Sequence, residues 1–212
     1  DLRTPLTSLL GYLETLSLKA DRLTMEENKQ YLNIALRQGN KVRHLSQQLF
    51  ELARLEHGGI KPQPETFVLA ELVQDVAQKF DLPVATRNIG LQLELAAGLP
   101  PVTADLSMIE RVLTNLLDNA IRHTPEGGVI RLAARRAGPE IIVEVADSGP
   151  GIAGELRATL FERPSVLEPG AQSASRGGLG LMIVRRMLQL HGGDIRLLEA
   201  PAGACFQFTL PV

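Results

Sequence analysis

Leu2, Leu6, Leu9, Leu13 and Leu16 recur at spacings of 4-3-4-3. A seam of that period commits the first stretch of chain to a helix with one apolar side. A break follows at Asp21-Arg22-Leu23-Thr24. Thr24-Met25-Glu26-Glu27 then carries the Thr-x-x-Glu signature of a capping box, so a second helix starts there. That helix bears Val42, Leu45, Leu49 and Leu52 at spacings of 3-4-3, with Tyr31 and Ile34 earlier. A lone hairpin of two such helices buries its seams poorly. Two hairpins paired as a four-helix bundle would bring the seams into one core. The pattern therefore predicts a homodimer through this region, against the alternative of a hairpin docked on the domain that follows.

His57-Gly58-Gly59-Ile60-Lys61-Pro62-Gln63-Pro64 reads as a linker, because the glycines end a helix and the prolines stop it resuming. The expected organisation is a helical hairpin over 1–57, a linker over 58–65 and a second domain over 66–212. In that domain Leu69 to Phe80, Leu106 to His123 and Gly178 to His191 have helical patterns. Ile89 to Leu95, Val129 to Arg135, Glu140 to Ala146, Asp194 to Leu198 and Ala204 to Leu210 read as strands. Clustered strands with a few helices predict an α+β sandwich, helices on one face of a mixed sheet.

Apolar residues make up 44% and charged residues 22%, the balance of a globular chain. The net charge is −2 and no basic stripe is present, so nucleic acid is not an expected partner. The single cysteine, Cys205, cannot form an intrachain disulfide and suits a reducing compartment. No apolar run approaches the ~20 residues that cross a bilayer. The chain opens on Asp1 within a helical pattern and reads as a fragment of a longer protein. A membrane segment would then lie upstream.

Three segments carry chemistry. In Asn115-Leu116-Leu117-Asp118-Asn119-Ala120-Ile121-Arg122-His123-Thr124, Asn115 and Asn119 are four apart and share a helix face. Amide oxygens are hard, neutral ligands suited to Mg²⁺, and Arg122 on the neighbouring stripe can reach a phosphate. Alone, two such asparagines are usually caps or solvated groups. Asp147-Ser148-Gly149-Pro150-Gly151-Ile152 ends a strand. An ionised Asp147 only accepts hydrogen bonds, so it can take the exocyclic amine of adenine, and the glycines let backbone turn against a flat ring. A plain turn has the same composition. Arg176-Gly177-Gly178-Leu179-Gly180-Leu181 opens a helix, where glycine amides make an anion site suited to a polyphosphate. It has neither the lysine of a P-loop nor dinucleotide spacing.

In order and spacing the three segments resemble the N, G1 and G2 boxes of sensor histidine kinases, whose ATP fold also serves gyrase-type topoisomerases and heat-shock chaperone ATPases. Phe161-Glu162-Arg163 resembles the family's F box, and Pro164 to Gly177 its ATP lid. Asp1-Leu2-Arg3-Thr4-Pro5-Leu6 resembles the H box, and the hairpin resembles the dimerisation and histidine-phosphotransfer domain.

The resemblance implies ATP and Mg²⁺ as cofactors, a response-regulator receiver domain as partner, and the cytoplasmic portion of an inner-membrane sensor as setting. It makes Asn119 the main Mg²⁺ ligand, with Asn115 supporting it. Arg122 stands where Lys is usual at a phosphate contact, a fork in place of a point charge. His123 stands where a Tyr often flanks adenine. Asp147 would read adenine, Gly149 and Gly151 would shape its pocket, and Gly178, Leu179 and Gly180 would border the phosphates. The phosphoacceptor histidine is expected immediately before Asp1, with Asp1 orienting its imidazole. Thr4, one helical turn after that histidine, resembles the residue that positions water for regulator dephosphorylation. Arg176 replaces the usual glycine and either clamps the γ-phosphate or is solvated. His44, His57 and His191 are not in an H-box pattern and read as helix-surface or helix-end residues. Two rivals remain open on sequence: a conformational ATPase of the same fold, and a degenerate kinase core acting as a dimeric scaffold.

Overall fold

The computed structural model describes residues 2–19, 22–162, 178–200 and 202–212. The chain divides into two compact units, Asp1–Arg54 and Leu55–Val212.

In the first unit α1 (Arg3–Leu18) and α2 (Met25–Glu56, which continues two residues into the second unit) form the hairpin. The capping box is made as the sequence requires. Thr24 N and Oγ1 donate to Glu27 Oε2 at 2.8 Å each, and Glu27 N donates back to Thr24 Oγ1 at 3.2 Å. The rings of Tyr12 and Tyr31 meet at 5.8 Å between centroids, joining the helices. A cavity of about 250 Å³ lined by Leu9, Leu13, Leu32 and Leu36 lies in the same unit. Of the predicted seams Leu6, Leu13 and Leu49 are exposed; outside them so are Leu10 and Leu32, and Leu36 and Phe50 leave 64% and 67% of their surface to solvent.

The second unit is an α/β domain. A mixed five-stranded sheet runs in the order β2 (Gly90–Leu95), β4 (Val129–Ala137), β5 (Glu140–Asp147), β7 (Cys205–Pro211), β6 (Ile195–Leu198). β2 is parallel to β4 and every other pair is antiparallel. One face is apolar: Ile130, Leu132, Val143, Val145, Phe206 and Phe208 are buried there with α5 (Leu106–His123) and α7 (Gly178–Leu190). The other face is polar. Arg131 reaches Glu94 at 3.1 Å and Glu144 at 3.4 Å, and Gln207 Nε2 donates to Glu144 Oε1 at 2.7 Å.

α5 has the bounds that its pattern predicts, for two reasons. Asp105 caps it, accepting from Met108 N at 3.1 Å, and Met108, Ile109, Val112, Leu113, Leu116, Leu117, Ala120 and Ile121 all point inward. Each large member contributes about 1.5–3 kcal/mol by leaving water. The helix expected over Leu69 to Phe80 is α3 (Leu69–Lys79). Four elements have no sequence forecast: β1 (Glu65–Phe67) paired antiparallel with β3 (Val102–Ala104), and the short helices α4 (Asp81–Thr86) and α6 (Gly154–Arg157).

Candidate nucleotide-binding site

The inward stripe of α5 fixes where its polar residues go. Asn115, Asn119 and His123 are half-buried, and Arg122 is exposed. Asn115 Nδ2 is buried with no hydrogen-bond partner. An orphaned amide nitrogen carries a desolvation cost that a bound ligand can recover. The C-terminal end of α5 is tied down from outside: Arg87 donates to the carbonyls of Ile121 and, at 3.2 Å, of Thr124, and buried Thr124 Oγ1 donates to Ala120 O at 2.7 Å.

Asp147 closes β5 and is 7% exposed. Its Oδ1 accepts from Gly149 N at 2.8 Å and from Ala204 N at 3.4 Å. Among the described residues nothing donates to Oδ2. Burial pushes the carboxyl above its ordinary range, against the two backbone donors and nearby His123. A buried acceptor with one oxygen unclaimed is what an amine donor such as adenine's would use.

Glycines bring this strand end to α5. A Cβ on Gly149 would stand 2.6 Å from His123 O and 2.7 Å from Asp147 Oδ1, so this close approach requires glycine. Gly151 has φ +76° and packs on Gly203, where its Cβ would lie 2.9 Å from the carbonyl oxygen. Gly203 is the tightest: φ is +69° and a Cβ would fall 1.6 Å from Asp147 O. The contact of Gly203 with Asp147 is not part of any contiguous motif in the sequence. Ser148 is a second addition, since its Oγ accepts from Val129 N at 2.8 Å and pins the loop to β4. Arg87 and Thr124 are likewise outside the sequence reading.

The glycine-rich segment enters at the head of α7, with Leu179 and Gly180 half-buried. α7 packs on α5, and the turn that ends α7 bonds to the residue that caps α5: Asp105 N donates to His191 Nε2 at 3.0 Å. The two helices therefore run in opposite senses. The 13 residues of α7 span about 20 Å, which measured from the head of α5 reaches the level of Asn119. The head of α7, with Gly178 to Gly180, therefore lies towards the end of α5 away from Asp105. Phe161 rests edge-on against Phe206 at 6.3 Å, with the Arg185 guanidinium 5.9 Å from its ring centroid.

Thr4 is exposed in the first turn of α1. Asp1, Arg176 and the lid residues 164–177 lie outside the described residues. His191 is not the last helical residue that the sequence suggests. α7 stops at Leu190 and His191 sits in the turn beyond, reaching back to Met187. No cluster of three or more His, Cys, Asp or Glu able to hold a metal occurs among the described residues. An ion here would rest on amide and phosphate oxygens, for which half-buried Asn119 offers an oxygen; the unpartnered atom of Asn115 is its Nδ2, a donor suited to a phosphate oxygen.

The family model of the histidine kinase-, DNA gyrase B- and HSP90-like ATPase matches residues 104–212, half of the chain. That of the His kinase A (phospho-acceptor) domain matches residues 1–58. The chain belongs to the histidine kinase family. It is 33% identical over 213 residues to the alginate biosynthesis sensor protein KinB of Pseudomonas aeruginosa, covering all of this chain and 35% of that protein. It is 35% identical over 217 residues to the sensor histidine kinase TmoS of Ectopseudomonas mendocina, covering all of this chain and 22% of that protein. The chain thus spans about a third or less of these relatives. Among solved structures, the Acinetobacter baumannii histidine kinase AdeS aligns with a TM-score of 0.78 at 27% identity, over 99% of this chain and 96% of that one. Histidine kinase ThkA in complex with response regulator protein TrrA aligns with a TM-score of 0.79 at 26% identity, over 99% of this chain and 58% of that one. No described helix is long and apolar enough to cross a membrane.

Proposed function

We propose that this chain is the catalytic core of a sensor histidine kinase, which autophosphorylates a histidine immediately before Asp1 and passes the phosphoryl group to an aspartate of a response regulator. The observation that carries this reading is the unclaimed Oδ2 of buried Asp147, held by Gly149 against the end of the asparagine-bearing helix.

Asp147 accepts the exocyclic amine of adenine, and Gly149 and Gly151 leave room for the ring beside His123. Asn119, supported by Asn115, would hold Mg²⁺, which when bound supplies charge neutralisation at the phosphates. Arg122 and the amides of Gly178, Leu179 and Gly180 border the phosphates. An imidazole nitrogen attacks the γ-phosphorus in line; the N–P bond forms, the bond to the β–γ bridging oxygen breaks, and ADP leaves with the electron pair. Asp1 orients the imidazole and takes up its proton. Thr4 positions water for the reverse duty, dephosphorylation of the regulator.

The exposed apolar residues of α1 and α2 support a homodimer, since burying Leu6, Leu10, Leu13, Leu32 and Leu36 against a second copy completes a four-helix core. The hairpin over 1–57 is the dimerisation and phosphotransfer part, 58–65 the linker, and 66–212 the ATP-binding part. We place the whole on the cytoplasmic side of an inner-membrane sensor. The complex of ThkA with its response regulator supports a receiver domain as partner.

The test is labelling of the full-length protein with γ-labelled ATP and magnesium. The expected product is acid-labile and base-stable, and Asn119→Ala abolishes it along with Mg-ATP binding. Steady ATP hydrolysis without labelling would identify a conformational ATPase instead. Absence of Mg-ATP binding by wild type and variant alike would leave a dimeric scaffold.

A further inference from the structure

Asp105 is buried, 8% exposed, and every part of it is engaged. Oδ1 accepts from Met108 N at 3.1 Å and from Ser107 Oγ at 2.7 Å, capping α5. Oδ2 accepts from Gln63 N at 2.8 Å. Its own amide donates to His191 Nε2 at 3.0 Å, while His191 Nδ1 lies 2.7 Å from Met187 O. A carbonyl only accepts, so Nδ1 carries the proton and Nε2 is free to receive Asp105 N–H. Desolvation pushes the Asp105 carboxyl up, but the donors from Gln63, Ser107 and Met108 outweigh it and hold it below its usual range.

Gln63 stands between Pro62 and Pro64, so it is the lone backbone donor of that tripeptide. The linker has one amide there to spend, and it goes to the residue that caps the asparagine helix and grips the end of the glycine-rich helix. Immediately afterwards β1 docks on β3, with Glu65 opposite Ala104, the neighbour of Asp105. The linker, α5 and α7 thus meet at one residue, the first two at its carboxylate and the third at its backbone amide.

We propose that Asp105 and His191 form a relay that couples occupancy of the nucleotide site, through α5 and α7, to docking of the linker at Gln63. His191 acts as a positioning residue: it fixes the spacing of the two helices at the ends remote from the nucleotide. The Asp105–Gln63 contact is already made at 2.8 Å, so a nucleotide that favours this spacing of α5 and α7 holds it closed, and by linkage a docked linker tightens nucleotide binding by the same factor. The relay rests on the nucleotide site proposed above.

The experiment follows hydrogen exchange of the Gln63 amide by NMR, with and without Mg-ATP, alongside Mg-ATP affinity by calorimetry. Couplings of this kind run from about 5-fold upward. In wild type Mg-ATP should slow Gln63 exchange about 5-fold or more. His191→Gln, whose amide oxygen can still accept from Asp105 N, should keep the effect. His191→Phe, which keeps ring volume and loses the acceptor, should remove it. Gln63→Pro, which deletes the donor away from the nucleotide, should weaken Mg-ATP by the same factor. Exchange at Gln63 that ignores Mg-ATP in wild type, or a coupling that survives His191→Phe, overturns the relay. Failure of the nucleotide reading would register separately, as no Mg-ATP binding by wild type, and would take the relay with it.

Discussion

Asp147→Asn is the sharpest probe of the site, because the change is nearly isosteric and its two consequences run in opposite directions. The new side chain can keep the oxygen that accepts from Gly149 N and Ala204 N, so the loop geometry survives. It puts an NH₂ where Oδ2 was, facing the adenine amine donor to donor. A hydrogen bond to a charged group is worth about 1.5–3 kcal/mol, so ATP and ADP should bind roughly 10- to 150-fold more weakly. Stability should move the other way. Burial raises the Asp147 carboxyl above its unfolded value, so the folded state holds that proton more tightly. Between the unfolded and folded values, rising pH therefore costs stability, and the cost persists at neutral pH. The uncharged amide of the variant carries no such cost. The nucleotide-free variant should melt at or above the wild-type temperature at pH 7, and its advantage should shrink as pH falls towards 4. The assays are calorimetric titration with ADP and thermal melting across pH. Unchanged ADP affinity with an intact fold would refute the adenine role. A variant clearly less stable at pH 7 would refute the claim that Oδ2 is unclaimed in the empty site.

Other outcomes follow from the same geometry. Asn115→Leu removes the orphaned amide, so the nucleotide-free domain should be equally or more stable while Mg-ATP affinity falls, read by melting and titration. Gly203→Ala combines a positive φ with a backbone clash and should cost about 3 kcal/mol, whereas Gly138→Ala, with φ +64° and open space, should cost about 1–2 kcal/mol; denaturant melts compare them. Leu10→Glu with Leu36→Glu charges the exposed apolar surface of the hairpin and should convert dimer to monomer in sedimentation, leaving the fold of the α/β domain unchanged.

Legibility in the sequence followed the range of the interaction concerned. The capping box from Thr24 to Glu27 is four residues wide and was readable outright. So was α5, whose eight buried positions repeat over five turns. β1 and β3 have three residues each, too few to display a period, and exist through their pairing. α4 is six residues long with Pro83 in its first turn, so no local pattern announces it. At the site, the asparagine helix and the Asp-x-Gly-x-Gly strand end are contiguous motifs and announce themselves. Gly203 does not, since its need for glycine comes from Asp147 O, a contact that only the fold creates. The same holds for Arg87, 34 residues from the carbonyl of Ile121, and for Asp105 and His191, 86 apart.

The two buried aspartates separate structure from chemistry more clearly than any motif does. Asp105 and Asp147 are nearly equally exposed, at 8% and 7%. Asp105 receives donors on both oxygens, which outweigh desolvation and lower its carboxyl. Asp147 has both donors on one oxygen, and burial wins. A protein selected for stability alone would fill Oδ2 or replace the residue, because a buried carboxylate without full compensation is a net cost. Asn115, on the adjoining helix, repeats the pattern with its unpartnered amide. Asp147 Oδ2, which accepts from no described residue, ends the strand, and the unpartnered Asn115 Nδ2 lies on the helix whose end Gly149 approaches at His123. A ligand that offers an amine to one and phosphate oxygens to the other would satisfy both, and binding should then raise the melting temperature of wild type more than that of Asp147→Asn or Asn115→Leu.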